Sequence, residues 1–347
     1  MANAAKHSKE YYRNRRNRRG SNKHSSLSYH AYDRGSLLNG RYSKVANLNH
    51  GSYGVVSVAH DTKRDNQSVA VKCVSKAEDR AARDLNRKKF STADDISNEL
   101  SIHEILGVHP FIISVLDHFE SETRAYIVLE YCAYGDLYEA IKGNRIPTDP
   151  DIRRQMISDL IDAIDYSHTK GVYHRDIKPE NISLTKGNRI KLADWGLATT
   201  ELVCEESGVG SERYMAPEIF DPLTRQYDTS KADIWAVGIC ISNILFGRNP
   251  FVKCAEQDKL FMDYCRSRES LMDIFPSMSI HTFYALRHAL ALDPKHRSLS
   301  KLRNAIESLE VWTTDDEMLS PGELYSFDTH SIIVTTADRE PLRTPTV

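Results

Sequence analysis

Apolar positions along the chain fall into two regimes. From about Tyr42 to Leu129 they form short runs with strand spacing, Val55-Val56-Ser57-Val58, Val69-Ala70-Val71-Lys72 and Tyr126-Ile127-Val128-Leu129. The last reads as a buried strand that continues through Glu130-Tyr131-Cys132 into a hinge. A charged, insertion-like stretch, Ala77 to Thr92, breaks this region, and a helical run follows at about Asp95–Leu106. Ile96, Leu100, Ile105 and Leu106 are its expected core positions. Beyond residue 131 the period lengthens. Ile152, Met156, Leu160, Ile161, Ile164 and His168 share helical spacing and predict a long core helix. Helices continue to about Trp312.

The pattern divides the chain into a polar segment at 1–35, a folded α+β region at 40–312 and a Thr-, Asp-, Ser- and Pro-rich tail at 313–347. Within the folded region, residues 40–130 are β-rich with one main helix and 131–312 are mostly helical. The first segment has almost nothing to bury and is expected to be disordered, and the tail is expected to be loose. There is no internal repeat.

Composition narrows the class. Charged residues make up 27% of the 347 and the net charge is −2, so nothing global points to a specific nucleic-acid partner. The six cysteines, at 73, 132, 204, 240, 254 and 265, form no C-x-x-C pair and read as reduced thiols of an intracellular protein, cytoplasmic or nuclear. Charges occupy the opening residues where a signal peptide needs an apolar core. No apolar run of about 18 residues exists to span a membrane. Arg13, Arg15, Arg16, Arg18 and Arg19 form a local basic cluster. It fits a nuclear-import or anion-binding patch, and equally a solvated tail.

The chemistry concentrates at residues 174–181, His-Arg-Asp-Ile-Lys-Pro-Glu-Asn, and at Asp194, after the alternating run Ile190-Lys191-Leu192-Ala193. Two acids and an amide on adjacent turns can hold a divalent metal against polyphosphate while one carboxylate faces an acceptor hydroxyl. Carboxylate and amide oxygens suit Mg²⁺.

These residues resemble the protein-kinase signature H-R-D-L-x-x-x-N followed by D-F-G, with Ile177 for Leu and Trp195 for Phe. The resemblance extends over about residues 40–312. Asn49-His50-Gly51-Ser52-Tyr53-Gly54-Val55-Val56 resembles the Gly-rich loop, with Asn49 at the first glycine. Val69-Ala70-Val71-Lys72 resembles V-A-I-K, and Ala216-Pro217-Glu218 closes a segment like A-P-E. Asp233-Ile234-Trp235-Ala236-Val237-Gly238 and Asp293-Pro294-Lys295-His296-Arg297 resemble D-x-W-x-x-G and D-P-x-x-R. Within the family, the phrases Val172–Asp176, Gly196–Thr200 and Gly210-Ser211 are similar to fungal serine/threonine kinases of the meiosis and nutrient-signalling group.

The resemblance implies a bilobal protein-kinase fold that transfers the γ-phosphate of ATP, with Mg²⁺, to Ser or Thr of protein substrates, acting as a monomer. It implies ATP contacts from Leu48, Asn49, Gly51, Ser52, Gly54, Val56 and Ala70, and from the backbone of Glu130 and Cys132 beside the adenine. Lys72 would hold phosphates, aimed by Glu99, with Glu104 the rival acid. Asn181 and Asp194 would hold metal, Asp176 would take the acceptor proton and Lys178 would steady the γ-phosphate. Glu218 and Arg297 would form a structural pair. A pseudokinase scaffold is the alternative, since Asn49 and Trp195 depart from the pattern. Asp136 and Glu180 suggest basic residues two to three positions before the acceptor, or else only a solvated cleft rim. Trp195 is expected to hold Asp194 inward and to gain a hydrogen bond from its indole.

Ser207 stands where many kinases carry an activating phosphate, Ser211 where a hydroxyl touches the catalytic Asp and Lys, and Arg175 where a phosphate is read. Few other basic residues could assist, because Thr199 and Asp95 occupy the neighbouring positions. Glu201, Glu205 or Glu206 could each approach Arg175 instead, which predicts activity without phosphorylation.

Overall fold

The computed structural model describes residues 35–51, 54–76, 93–314 and 342. Ser52, the charged stretch 77–92, the basic segment 1–34 and most of the tail lie outside the described residues. Thr313 is buried, however, and bridges to Met278, while Leu342 is buried against the large-lobe core. At these two positions the expectation of a loose tail is corrected: an apolar side chain and a backbone pairing hold the chain to the domain.

The small lobe is an antiparallel sheet in the order β1-β2-β3-β4-β6-β5. Its strands are β1 (Leu37–Leu38), β2 (Tyr42–Gly51), β3 (Gly54–Asp61), β4 (Gln67–Ser75), β5 (Val115–Glu120) and β6 (Arg124–Glu130). The apolar runs are continuous because both faces are covered. Val69, Val71, Tyr126 and Val128 pack with Tyr42 and Ala59 on one face; Ala70, Val74, Ile127 and Leu129 pack with Ile96 and Ile113 on the other. Strand alternation puts Lys72 on the second face, so a one-residue slip of β4 would turn it away from the site.

Helix α1 (Ala93–Leu106) lies on that face. Its buried positions are Ile96, Glu99, Ile102, His103 and Leu106, spaced as one helical stripe. Ile105 is 42% exposed, contrary to expectation. Two polar residues, Glu99 and His103, occupy the stripe, so apolar spacing alone misjudged which way the helix faces.

In the large lobe, α2 (Leu137–Lys142) leads to α3 (Pro150–Thr169), which starts at the Asp149 cap with Pro in its first turn. The hairpin β7 (Ile182–Leu184) and β8 (Ile190–Leu192) packs on α3. The ribbon β9 (Val203–Cys204) and β10 (Tyr227–Asp228) precedes α4 (Thr229–Phe246). Helix α4 is buried on nearly every side, and its apolar composition all round is what a central helix requires. At Gly238 a Cβ would sit 2.7 Å from Leu290 and 2.8 Å from Ala289, so only glycine fits. Helices α5 (Lys259–Arg266), α6 (Ser270–Ile274), α7 (Ile280–Leu286) and α8 (Leu299–Glu307) complete the lobe. No helix among the described residues is long and apolar enough to cross a membrane.

Candidate active site

The loop between α3 and β7 is held from below by one carboxylate. Asp233, in the second turn of α4, accepts the backbone N–H of His174 at 2.8 Å and of Arg175 at 2.9 Å, and lies 3.0 Å from His168 Nε2. The His174 ring takes the Asp176 N–H at Nδ1 and faces the Ala193 carbonyl with Nε2. Arg175 has a φ of 63°, a left-handed turn that aims the following carboxylate.

Asp176 is 4% exposed. Lys178 Nζ donates to its Oδ2 at 2.6 Å and to Ser211 Oγ at 2.9 Å. Asn181 Nδ2 donates to the Asp176 carbonyl at 2.8 Å. Asp176 Oδ1 is buried without a hydrogen-bond partner, an acceptor aimed where a donor is missing. Gly210, with a φ of 100°, lies so close that a Cβ there would collide with the Arg175 carbonyl. The segment carrying Ser211 can approach the loop only through this glycine.

Above the loop, Lys72 Nζ lies 2.7 Å from both Glu99 Oε2 and Asp194 Oδ1. Glu104 is exposed, so Glu99 is the paired acid. Burial works against the lysine's charge, but Asp194 and Glu99 more than restore it, and its pKa is raised. Burial also opposes ionised Asp194, yet Lys72, Lys178 and His174 hold its carboxyl below the usual range. Burial pushes the Glu99 carboxyl up despite Lys72. One cation thus faces two acids. Asp194 has a φ of 61°, a left-handed conformation that costs on the order of 1–3 kcal/mol and is held by its surroundings.

Leu48, Val56, Ala70, Leu129, Cys132 and Ala193 meet in one apolar cluster beside this group. Asn49 and Gly51 pair with Val56 and Gly54 across the β2–β3 hairpin. The Glu130 side chain lies 2.9 Å from Lys191 Nζ, and its backbone N–H donates to the Ser114 carbonyl at 2.9 Å. Burial, with Glu130 nearby, pushes the Cys132 thiol up to about 12.

The protein kinase domain family matches residues 42–308. The chain belongs to this family. It is 36% identical over 359 residues to serine/threonine-protein kinase KSP1 of Saccharomyces cerevisiae, an alignment covering 84% of this chain and 34% of that protein. It is 38% identical over 322 residues to serine/threonine-protein kinase ksp1 of Schizosaccharomyces pombe, covering 86% and 65%. It is 32% identical over 265 residues to the negative regulator of sexual conjugation and meiosis of the same organism, covering 70% and 54%. The chain therefore spans about a third of the first relative and under two thirds of the other two.

In this kinase domain the segment after Asp194 is tied down by its own side chains. Arg175 donates to the Leu197 carbonyl at 2.8 Å and to Glu206 at 3.1 Å. Glu205 instead accepts from Gln226 at 2.8 Å, and Thr229 donates to the Glu201 carbonyl. Of the three acids considered, only Glu206 makes a hydrogen bond to Arg175. Ser207 is exposed beside it. Asn98, which no motif marks, donates to the Ala198 carbonyl at 3.0 Å and joins α1 to this segment.

Asp136 caps α2, accepting the Glu139 N–H at 2.9 Å. One expectation needs correction. Trp195 is fully buried, packed 4.5 Å from the His174 ring and 6.4 Å edge-on to His103. Its indole N–H has no acceptor. The space behind Asp194 is lined by rings rather than by oxygens, so the added hydrogen bond is missing. His103 was not foreseen, although it lies one turn after Glu99 on the same face. Burial, with Lys72 and His174 adding to it, pulls its pKa down to about 4. Farther out, Glu218 accepts both guanidinium nitrogens of the buried Arg297, at 2.6 and 2.8 Å, the structural pair that the motifs imply.

Proposed function

We propose that this chain is an ATP-dependent protein serine/threonine kinase. The carrying observation is the pair of lysines, Lys72 bridging Glu99 to Asp194 and Lys178 bridging Asp176 to Ser211. One set addresses phosphate, the other an incoming hydroxyl. Phosphoryl transfer has a loose transition state, so positioning and charge neutralisation are most of what a protein supplies. Leu48, Val56, Ala70 and Leu129 present an apolar slot to the adenine, beside the backbone of Glu130 and Cys132. Asn49, Gly51 and Gly54 lie over the phosphates. Lys72 holds the α- and β-phosphates. Asp176 Oδ1 receives the acceptor hydroxyl, and Lys178 meets the charge that develops on the transferred group.

The donor set fits magnesium. Asn181 and Asp194 would be its ligands, Asn181 anchored through Nδ2 on the Asp176 carbonyl and Asp194 bonded to Lys72 through Oδ1. Among the described residues no cluster of three or more His, Cys, Asp or Glu could hold a metal alone, which suits an ion that binds through one or two carboxylates plus substrate phosphates. When bound there, Mg²⁺ supplies charge neutralisation on the β- and γ-phosphates.

The reading includes protein substrates with a preference for basic residues before the acceptor, an arrangement as a monomer, and a cytoplasmic or nuclear location. The Ser/Thr assignment is supported by Lys178, two residues after Asp176, and by relatives named as serine/threonine kinases. The test is transfer of labelled γ-phosphate from ATP with Mg²⁺ to a generic protein substrate. Transfer by wild type and not by Asp176→Asn is expected; a wild type that binds ATP but transfers nothing sinks the reading.

A further inference from the structure

We propose that Asn47 and Ser57 are positioning residues for ATP, whose hydrogen bond locks the bulge that lays Leu48 against the adenine slot. The proposal deepens the kinase reading and rests on it for the identity of the ligand.

Strand β2 carries two extra residues close together. Its pairing with β3 runs Lys44 to Ala59, Ala46 to Val58, Asn47 to Ser57 and Asn49 to Val56, so Val45 and Leu48 are each passed over. Bulges of this kind disrupt the ladder, bend the strand and re-aim a side chain. Between them the stretch is held by the pairs of Ala46 and Asn47 alone. The second bulge leads directly into the hairpin that carries Asn49 and Gly51.

The two faces of the sheet are used differently at this point. Ser57 pairs with Val71 of β4, whose side chain packs with Tyr42, Ala59, Val69 and Val128 on the face away from Lys72. Residues opposite one another share a face, so Asn47 stands on that side too. Ser57 is 4% exposed, and its Oγ donates to Asn47 Oδ1 at 3.0 Å. Leu48, next in the chain, packs instead with Val56, Ala70 and Leu129 in the cluster beside the site.

A hydroxyl placed among apolar side chains marks the register. If the two residues between the bulges slipped by one, Ser57 would face Ala46 or Leu48, neither of which has a side-chain acceptor. A buried hydroxyl without a partner is costly, so the slipped pairings are disfavoured. A slip of one residue also turns each side chain to the other face, and Leu48 would leave the slot. A neutral pair on the far face of the sheet thus fixes one wall of the ligand site without touching the ligand.

The experiment uses the full chain. Activity is measured against ATP and against a generic peptide, with adenosine as a competitive inhibitor. Ser57→Ala and Asn47→Ala should each raise the KM for ATP by roughly three- to tenfold, the range of one neutral hydrogen bond. The kcat and the KM for peptide should stay within about twofold. Adenosine, which has no phosphate, should lose affinity by the same factor as ATP. The double variant should be no worse than either single one, as for residues that act as a pair.

An unchanged KM for ATP in Asn47→Ala, where the side chain is only half-buried, overturns the proposal and spares the kinase reading. So do effects that multiply in the double variant. A loss for ATP without a loss for adenosine also overturns it, since the effect then belongs to the phosphates. A joint decline of kcat and both KM values means general loosening and overturns it too. In a chain that transfers no phosphate, adenosine affinity titrated directly decides. Weaker binding in both variants then keeps the proposal while the kinase reading falls, and equal binding sinks both.

Discussion

Arg175 and Glu206 meet at 3.1 Å across the segment that follows Asp194, the guanidinium nearly buried and the carboxylate exposed. The acid stands one residue before the serine that would otherwise carry an activating phosphate. Ser207→Ala is therefore expected to keep kinase activity within about twofold, since surface substitutions of this kind change free energies by about 0.5 kcal/mol or less. Glu206→Gln should lower activity by roughly two- to fivefold, the range of a partly solvated ion pair. Glu205→Gln should do less, because Glu205 bonds Gln226. Assays on phosphatase-treated protein check this. Activity that collapses on treatment and returns only with phosphate on Ser207 would count against it.

Asp176→Asn keeps the shape of the loop but removes the proton acceptor. Turnover should fall by about 10²–10⁴-fold, the usual contribution of a general base, with the melting temperature and ATP affinity nearly unchanged. Equal turnover in the two proteins would refute the role given to Asp176.

Glu218→Gln should destabilise the large lobe strongly. It leaves the Arg297 guanidinium, which has no exposed surface, facing a neutral group. Breaking a buried pair from one side costs about 3–5 kcal/mol, which in a domain of this size lowers the melting temperature by about 6–20 °C. A shift below about 2 °C would mean that water reaches the arginine.

His103 predicts a pH dependence of stability. Its folded pKa, about 4, lies below the ordinary histidine value. The unfolded chain therefore binds the proton first as pH falls. Stability should be complete above about pH 6.5 and decline between about 6.5 and 4, by up to about 3 kcal/mol. His103→Leu should flatten this part of the curve, as measured by denaturant unfolding at several pH values. An unchanged slope would show that other groups cause it.

Trp195→Phe should be mild for stability, within about 2 kcal/mol, because lost packing is offset by removal of a buried N–H that has no acceptor. Ligands that require Asp194 to turn outward should bind the variant about tenfold more tightly, since a smaller ring leaves its ring-lined slot more easily. Equal binding to both proteins would make Trp195 a packing choice only.

Much of this site was legible because its chemistry needs particular residue types in a fixed order. Lys72 could be placed because strand alternation leaves it one face, and Asp176 with Asn181 because they share one short loop. What was misread depended on directions that spacing does not carry. Ile105 and His103 both lie one to two turns after Glu99, and the tertiary contact with Trp195 decides which is buried. Glu201, Glu205 and Glu206 are equivalent until the pairing of β9 with β10 fixes which one faces Arg175.

The grip of Asp233 on the catalytic loop has a consequence for control. Two backbone N–H groups and a histidine are tied to a helix sunk in the large lobe, so the loop is finished when that lobe has folded. The contact that remains adjustable is the one between lobes, where Lys72 on β4 meets Asp194. A ligand or partner that moves α1 would therefore act as a dial on rate and leave the grip on the acceptor peptide where it was.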